Sequence, residues 1–370
     1  MPDPRLKRIL MTGDTVGGVW TYTLELAEAL AAQGVEVVLA ALGGKPSPTQ
    51  RGEAGRISGL RLLTSDFKLE WMEEPWADVA ASGRWLLELE KQYAPDLIHL
   101  NSYGHGALAF QRPVVLTAHS CVLSWWEAVK RDPLPAQWDR YRREVARSLR
   151  AADVLTAPSQ AMLDAIERHY GPGVPEVRAV VSNGRSPHLY RPAAKESFIL
   201  TAGRLWDEAK NAAAVARAAK SLPWPVCLAG DDRAPSGASV DFPGCRMLGR
   251  LSTGELAGWY GRAAIYALPA RYEPFGLSAL EAALCGCALV LGDIASLREI
   301  WQDAAVYVPP DDDLRLASAL RELIANPIQR ENMARRAATR ARSFTPERMV
   351  SGYLDVCRSV TSRKRAACVL

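Results

Sequence analysis

Long apolar runs are missing from this 370-residue chain, and nothing in it approaches the length of a membrane-spanning helix. Its start, MPDPRLKRILMTGD, reaches Gly13 and Asp14 too early for the core and cleavage site of a signal peptide. A cytoplasmic protein is the expectation, with weak peripheral contact to a membrane surface left open. An excess of one charge is missing too. The 45 Lys and Arg face 41 Asp and Glu, and a net charge of +4 is too even a balance for a nucleic-acid binder. The seven cysteines, at 121, 227, 245, 285, 287, 357 and 368, form neither a disulfide framework nor a zinc pattern and read as reduced packing residues. Cys285 and Cys287 are expected to face different environments. Cys368 stands one place off a prenylation position, so the ending TSRKRAACVL reads as a frayed basic tail. The first strand-to-helix loop, Thr12 to Val19, lacks the G-x-G-x-x-G spacing of a dinucleotide fingerprint, and the first half has no D-x-D to hold a metal against a diphosphate.

What is present is an alternation of strand and helix. RILMTG, a periodic segment from Val19 to Ala32 and VEVVLAAL predict a right-handed βαβ unit. Further strands are expected at 96 to 102, 113 to 120, 154 to 159 and 177 to 183, with helices around 77 to 92, 135 to 151 and 160 to 169. The cluster NGRSPHLYRPAAK, Asn183 to Lys195, interrupts the pattern before SFILTAG restarts it. The reading is an α/β protein of two Rossmann-like, doubly wound domains, 1–187 and 195–345, facing a central cleft. A last segment, 346–370, holds a helix that begins at Thr345-Pro346-Glu347 and a basic tail. Ligands of such sheets bind beyond the carboxyl ends of the strands.

One stretch there, RYEPFGLSALEAALCG from Arg271 to Gly286, carries two carboxylates, Glu273 and Glu281. Ser278 and Glu281 fit a capping box, S-x-x-E, which by itself accounts for Glu281. Glu273 is not explained that way, and the Pro274-Phe275-Gly276 turn offers backbone N–H groups at a helix start, where an anion is favoured. Upstream, TAGRLWDEAKN places Arg204 and Lys210 six residues apart, either as solvated surface cations or as a pair suited to a diphosphate. In Trp206-Asp207-Glu208 between them, the two acids are expected to face away. His119 closes PVVLTAHS as a structural or a functional histidine, and His105 is a candidate to line the cleft. Trp71, Trp76, Trp125 and Trp126 are either core or stacking surfaces for a sugar ring or another flat ligand.

Glu273-Pro274-Phe275-Gly276-Leu277, with Glu281 after seven intervening residues, resembles the E-x7-E signature of retaining GT-B glycosyltransferases, glycosyltransferase family 4 in particular. The resemblance covers nearly the whole chain. It implies transfer from an α-linked nucleotide-diphosphate sugar to an acceptor hydroxyl with retention, by same-face attack and without a metal or other cofactor. It implies that Glu273 contacts hydroxyls of the donor sugar, that the amides of Phe275, Gly276 and Leu277 approach sugar and diphosphate, and that Glu281 binds the ribose. Arg204 and Lys210 would hold the diphosphate, His119 would contact the sugar, and Gly17 and Gly18 match the glycine loop of the amino-terminal domain. Base recognition would use backbone groups around Arg250 and Leu251. Ser182-Asn183-Gly184-Arg185-Ser186 departs from the usual PNG, apolar residue, Asp at the interdomain strand end. The acceptor stays open between a sugar, a lipid-linked and a small molecule. An epimerase of the same fold, a non-catalytic nucleotide-sugar binder and a nicotinamide-dependent oxidoreductase are the rival readings.

Overall fold

A computed structural model describes residues 6–234 and 237–367, with side chains as far as Val360. Cys368 and the side chains of the basic ending lie outside the described residues. The chain divides into two compact units. One holds the chain to Glu127, Asp132–Gly184 and everything from Pro346. The other holds Arg185–Thr345 together with Ala128–Arg131. The change of unit thus falls inside the Asn183 to Lys195 cluster.

In the first unit the elements are β1 (Arg8–Asp14), α1 (Gly18–Ala32), β2 (Glu36–Leu42), α2 (Pro48–Ala54), β3 (Leu60–Thr64), α3 (Trp76–Tyr93), β4 (Leu97–Leu100), β5 (Val114–Thr117), α4 (Val122–Val129), α5 (Asp139–Ala151), β6 (Val154–Ala157), α6 (Gln160–Tyr170) and β7 (Arg178–Val180). Seven parallel strands run in the order β3-β2-β1-β4-β5-β6-β7. The second unit has β8 (Glu196–Ala202), α7 (Ala212–Ala219), β9 (Val226–Ala229), β10 (Arg246–Gly249), α8 (Thr253–Arg262), β11 (Ala263–Leu268), α9 (Leu277–Leu284), β12 (Ala288–Gly292), α10 (Ala295–Trp301), β13 (Val306–Val308), α11 (Asp313–Ala325) and α12 (Pro327–Ala341). Its six parallel strands run β10-β9-β8-β11-β12-β13. The final helix, α13 (Pro346–Ala367), belongs to the first unit, where Tyr353 packs beside Tyr22 and His99.

Both sheets are doubly wound, so the strand order reverses between β1 and β4 and again between β8 and β11. Connections leave the sheet in opposite directions there, opening a crevice beyond the carboxyl ends. The central strands β2, β4, β5, β6, β9, β11 and β12 are buried on both faces, which is why they read as continuous apolar runs. At the carboxyl ends of β8 and β9 the backbones nearly touch. A Cβ at Gly230 would lie 1.8 Å from the carbonyl oxygen of Gly203, so only glycine fits.

Three local expectations are corrected. The edge strand β3 and the helices α2 and α4 were not anticipated, and the helix expected over 135 to 151 begins only at Asp139, after a 3-10 turn at Ala136–Trp138. Cys285 and Cys287 do not face different environments. Gly286, at φ 75°, reverses the chain between them, and both enter one apolar cluster with Tyr260 and Ala263. Burial pushes their thiols up, to about 12 and about 11. The capping box at Ser278 does not form. Helix α9 is capped by Gly276 in the left-handed region, φ 91°, which places Ser278 inside the first turn, where it accepts a hydrogen bond from Tyr266 Oη at 2.7 Å.

Candidate active site

In the second unit the candidate residues gather where β8 and β11 end. After β11 the chain runs through Pro269 to Glu273, and the left-handed Gly276 turns it into α9. Glu273 uses both carboxylate oxygens. Oε1 accepts the Gly276 N–H at 3.0 Å, and Oε2 is ion-paired with Lys210 Nζ. Its carbonyl accepts from Ser296 Oγ at 2.6 Å, so the loop is tied to the start of α10 as well. Lys210 is delivered by the β8 loop, and the next residue, Asn211, donates to the carbonyls of Pro269 and Pro310 at 3.0 and 2.7 Å. A side chain from each strand end is thereby fixed against the other.

Arg204 does not stand as a free cation. Its Nη2 donates to Asp207 Oδ2 at 2.8 Å, and the guanidinium lies over Trp206, 5.5 Å from the ring centroid. Asp207 is buried and also accepts the Ala209 N–H at 3.0 Å, closing the turn that sets the spacing from Arg204 to Lys210. Asp207, expected to face away, instead turns inward onto Arg204, while Glu208 is exposed and ion-paired with Lys130 at 2.6 Å. Arg204 Nε is buried without an acceptor among the described residues.

Glu281 is buried on the first face of α9. Its Oε1 accepts from Arg185 Nε at 2.9 Å and from Tyr190 Oη at 2.9 Å, and Arg185 Nη2 closes the triangle on the tyrosine oxygen. Oε2 makes no bond among the described residues and is not fully buried, so it is left as an acceptor. Burial, then the Glu281 carboxylate, pushes the Tyr190 phenol well above its ordinary pKa, which keeps it a donor. Arg185 and Tyr190 were not foreseen. Arg185 is the residue standing where the apolar position of the PNG pattern was expected. Phe275 turns its side chain into the core against Phe344, ring centroids 5.5 Å apart, which leaves its amide, with that of Leu277, at the mouth of α9. Arg250 is exposed after β10, and Leu251 packs on the core beside the Ser252 cap of α8.

In the first unit the crevice between β1 and β4 collects a different set. Gly17, φ 89°, caps α1, and Gly17 and Gly18 are both exposed. The loop before them is braced by Thr15 Oγ1 on the Gly44 carbonyl and by Gln50 Nε2 on the Thr15 carbonyl. His119 is partly buried. Its Nε2 meets Asn101 Oδ1 at 2.9 Å, and the Tyr22 ring lies edge-on with centroids 4.3 Å apart. Desolvation, then the neighbouring His99, brings its pKa down to about 3, so the ring is neutral at physiological pH. His105 does not line a crevice: it is buried and bonded to Ser82 Oγ at 2.8 Å. Of the tryptophans in question, Trp76 carries Arg140 over its ring at 4.6 Å. Among the described residues no group of three His, Cys, Asp or Glu is placed to hold a metal ion, and no helix is long and apolar enough to cross a membrane.

Comparison with known proteins places this geometry. A model of "Glycosyltransferase Family 4" matches residues 16–188, and one of "Glycosyl transferases group 1" matches 190–340. The chain is 27% identical over 367 residues to a glycogen synthase of Mycobacterium tuberculosis, covering 89% of this chain and 87% of that one. It is 26% identical over 412 residues to a D-inositol 3-phosphate glycosyltransferase of Kineococcus radiotolerans, covering 96% and 93%. Among solved structures, sucrose-phosphate synthase from Thermosynechococcus elongatus superposes with a TM-score of 0.81 at 19% identity, over 96% of this chain and all of that one. HepE of Anabaena, solved with UDP and glucose, gives 0.75 at 16% identity, over 95% and 99%. With both halves matched in order and two doubly wound parallel sheets in the fold, this chain is an enzyme of the GT-B fold and belongs to the glycosyltransferases of the family 4 type.

Proposed function

We propose that this enzyme transfers a hexose from an α-linked nucleotide-diphosphate sugar to an acceptor hydroxyl with retention, giving an α-glycosidic bond. The observation that carries the reading is Glu273 at the β8/β11 crevice, anchored by Lys210 and by the Gly276 amide, so that its remaining lone pairs have a fixed direction. In this reading they accept hydroxyls of the donor sugar. Glu281 Oε2 accepts from the ribose, and the mouth of α9 with Arg204 and Lys210 takes the diphosphate. The orphaned Arg204 Nε is a donor in want of an acceptor, as a phosphate oxygen would supply.

The acceptor oxygen bonds to C1 on the face from which the diphosphate leaves. The C1–O bond to phosphate breaks with its electron pair going to the phosphate oxygen, and that oxygen takes the acceptor proton. The fixed cations and helix amides stabilise the charge as it develops, a contribution of about 3 kcal/mol for a single well-placed donor. No metal is required in this scheme, because protein cations do that work.

The test is a panel of UDP-, GDP-, ADP- and TDP-sugars, UDP-glucose first, with nucleotide release followed in EDTA and the anomeric configuration of any product read by NMR. Release with one donor, an α-linked product and no response to EDTA are expected. A β-linked product would end the retaining scheme, dependence on divalent metal would end the metal-free one, and saturable binding without turnover on any acceptor would favour a binding protein.

A further inference from the structure

The hydrogen bonds behind His119 fix more than its position. Asn101, just past β4, spans the crevice to β1: its backbone N–H donates to Thr12 Oγ1 at 2.8 Å, and its Nδ2 donates to the Thr12 carbonyl at 2.7 Å. A main-chain carbonyl can only accept, so the amide group has one permitted orientation, with nitrogen toward Thr12 and Oδ1 toward the ring of His119. Oδ1 in turn can only accept, so His119 Nε2 must carry the proton of that 2.9 Å contact. In a neutral imidazole the other nitrogen, Nδ1, is then a bare lone pair. Nδ1 has no partner among the described residues, and the residue is partly exposed.

The groups facing this ring explain why it stays neutral. Tyr22 on α1 lies edge-on to it, His99 on β4 is a second imidazole whose charge would oppose its own, and Tyr353 on α13 packs against both Tyr22 and His99. His99 is itself buried and uncharged, its Nε2 bonded to Thr117 Oγ1 at 2.8 Å. The contacts shown at the ring among the described residues are thus a phenol, a neutral imidazole and an amide, with the Tyr353 phenol behind them. A carboxylate in place of the Asn101 amide would invert the arrangement, since it would favour the imidazolium and place a proton on Nδ1.

We infer that Asn101, oriented by the Thr12 carbonyl, is a positioning residue that holds His119 as a neutral hydrogen-bond acceptor, so that His119 Nδ1 selects a donating hydroxyl of the sugar. This rests on the proposed function for the identity of the ligand, but not for the state of the ring. A ring in this state can neither donate to a phosphate nor act as a general acid.

Two readouts separate those layers. In the full-length wild-type chain labelled with 15N-histidine, long-range 1H–15N spectra, with His119→Gln to assign the signal, should show the Nε2–H tautomer with no titration down to about pH 5. The Nδ1–H tautomer, or a ring that titrates near its ordinary value, would overturn the inference whatever the enzyme transfers. With the donor found by the panel, Asn101→Asp, whose carboxylate lifts the ring from about 3 by up to about three pH units, should raise donor KM about tenfold at pH 5 and recover toward wild type by about pH 7.5, as the ring loses its extra proton. Asn101→Ala should raise KM at every pH, with kcat less affected. A KM profile for Asn101→Asp parallel to that of the wild type, in a chain whose NMR spectrum shows it folded, would also overturn it.

Discussion

The two crevices sit at the same topological position in two similar sheets, yet they are built from opposite chemistry. In the second unit the candidate carboxylates are paired with cations: Glu273 with Lys210, Glu281 with Arg185, and Asp207 beside them with Arg204. In the first unit the side chains around the candidate histidine are neutral and relay hydrogen bonds, Thr12 to Asn101 to His119 and His99 to Thr117 to Thr156 and Tyr353. Charge is concentrated in the unit proposed to hold a departing diphosphate, and neutrality in the one proposed to read hydroxyls. The common fold therefore supplies a place for a site, and the side chains of each unit decide what the place can bind.

The sharpest way to break this contrast is Glu273→Gln. The amide keeps the size and can still receive the Gly276 N–H, but it no longer neutralises Lys210. Nucleotide release should fall about 100- to 1000-fold if the charge matters as proposed. A near-normal rate would reduce Glu273 to a loop anchor. Arg185→Ala comes next, because it removes the cation from a buried carboxylate and leaves Glu281 with only its Tyr190 hydrogen bond, in an ion pair whose two side chains are each only 10% exposed. A loss of about 3 kcal/mol in the unfolding of the full chain is expected, with nucleotide affinity about tenfold weaker. Arg185→Lys should recover part of the stability, since it restores charge without the second N–H to Tyr190.

Much of this was legible in the sequence, and the part that was not has a physical reason. The pair of doubly wound sheets follows from continuous apolar strands alternating with periodic helices, and the E-x7-E spacing is a local property of one loop and one helix. The partners are not local. Arg185 is 96 residues from Glu281, and Tyr190 is 91, so only the closing of the sheet brings them together. Asn101 lies in a run read merely as a strand end, and nothing in its neighbourhood predicts His119 as its partner. The Ser278 capping box failed for the converse reason. The local pattern was sound, but the glycine before it could adopt a backbone angle that started the helix two residues early. Strand β3, LRLLT, escaped notice because only part of it is covered and Arg61 breaks its apolar run.

Acid should distinguish the two units. Burial lowers His99 to about 3 and His105 to about 4, whereas in the unfolded chain both bind protons near an ordinary value of about 6.5. The stability gained by keeping them neutral is present above about pH 6.5 and is lost as the pH falls toward those values, at about 1.4 kcal/mol per pH unit for each ring. Glu70, also buried, has its carboxyl raised by desolvation and acts in the opposite sense: its contribution is present at low pH and is lost as the pH rises through its elevated value. Urea midpoints between pH 4 and 7 should therefore fall toward acid, and His99→Gln should make the slope shallower. An unchanged slope would mean that His99 is not the buried neutral group described.

The smallest effects make the cleanest comparison, a matched pair of Tyr→Phe changes. Tyr190 Oη donates to the Glu281 carboxylate at 2.9 Å, while Tyr353 Oη meets a neutral hydroxyl, Thr117 Oγ1, at 3.3 Å. Both phenols are buried, so the loss of packing is similar, and the difference reports the charge of the partner. Hydrogen bonds to charged groups contribute about 2 kcal/mol and those between neutral groups about 1, so Tyr190→Phe should lower unfolding stability about twice as much as Tyr353→Phe. The first should also weaken nucleotide binding, because Glu281 would lose one of the two groups that fix its free oxygen. The second should leave that affinity unchanged. Equal effects on stability would show that the ion pairs of the second unit are no firmer a scaffold than the neutral relay of the first, and the assignment of charge to one unit and neutrality to the other would lose its energetic meaning.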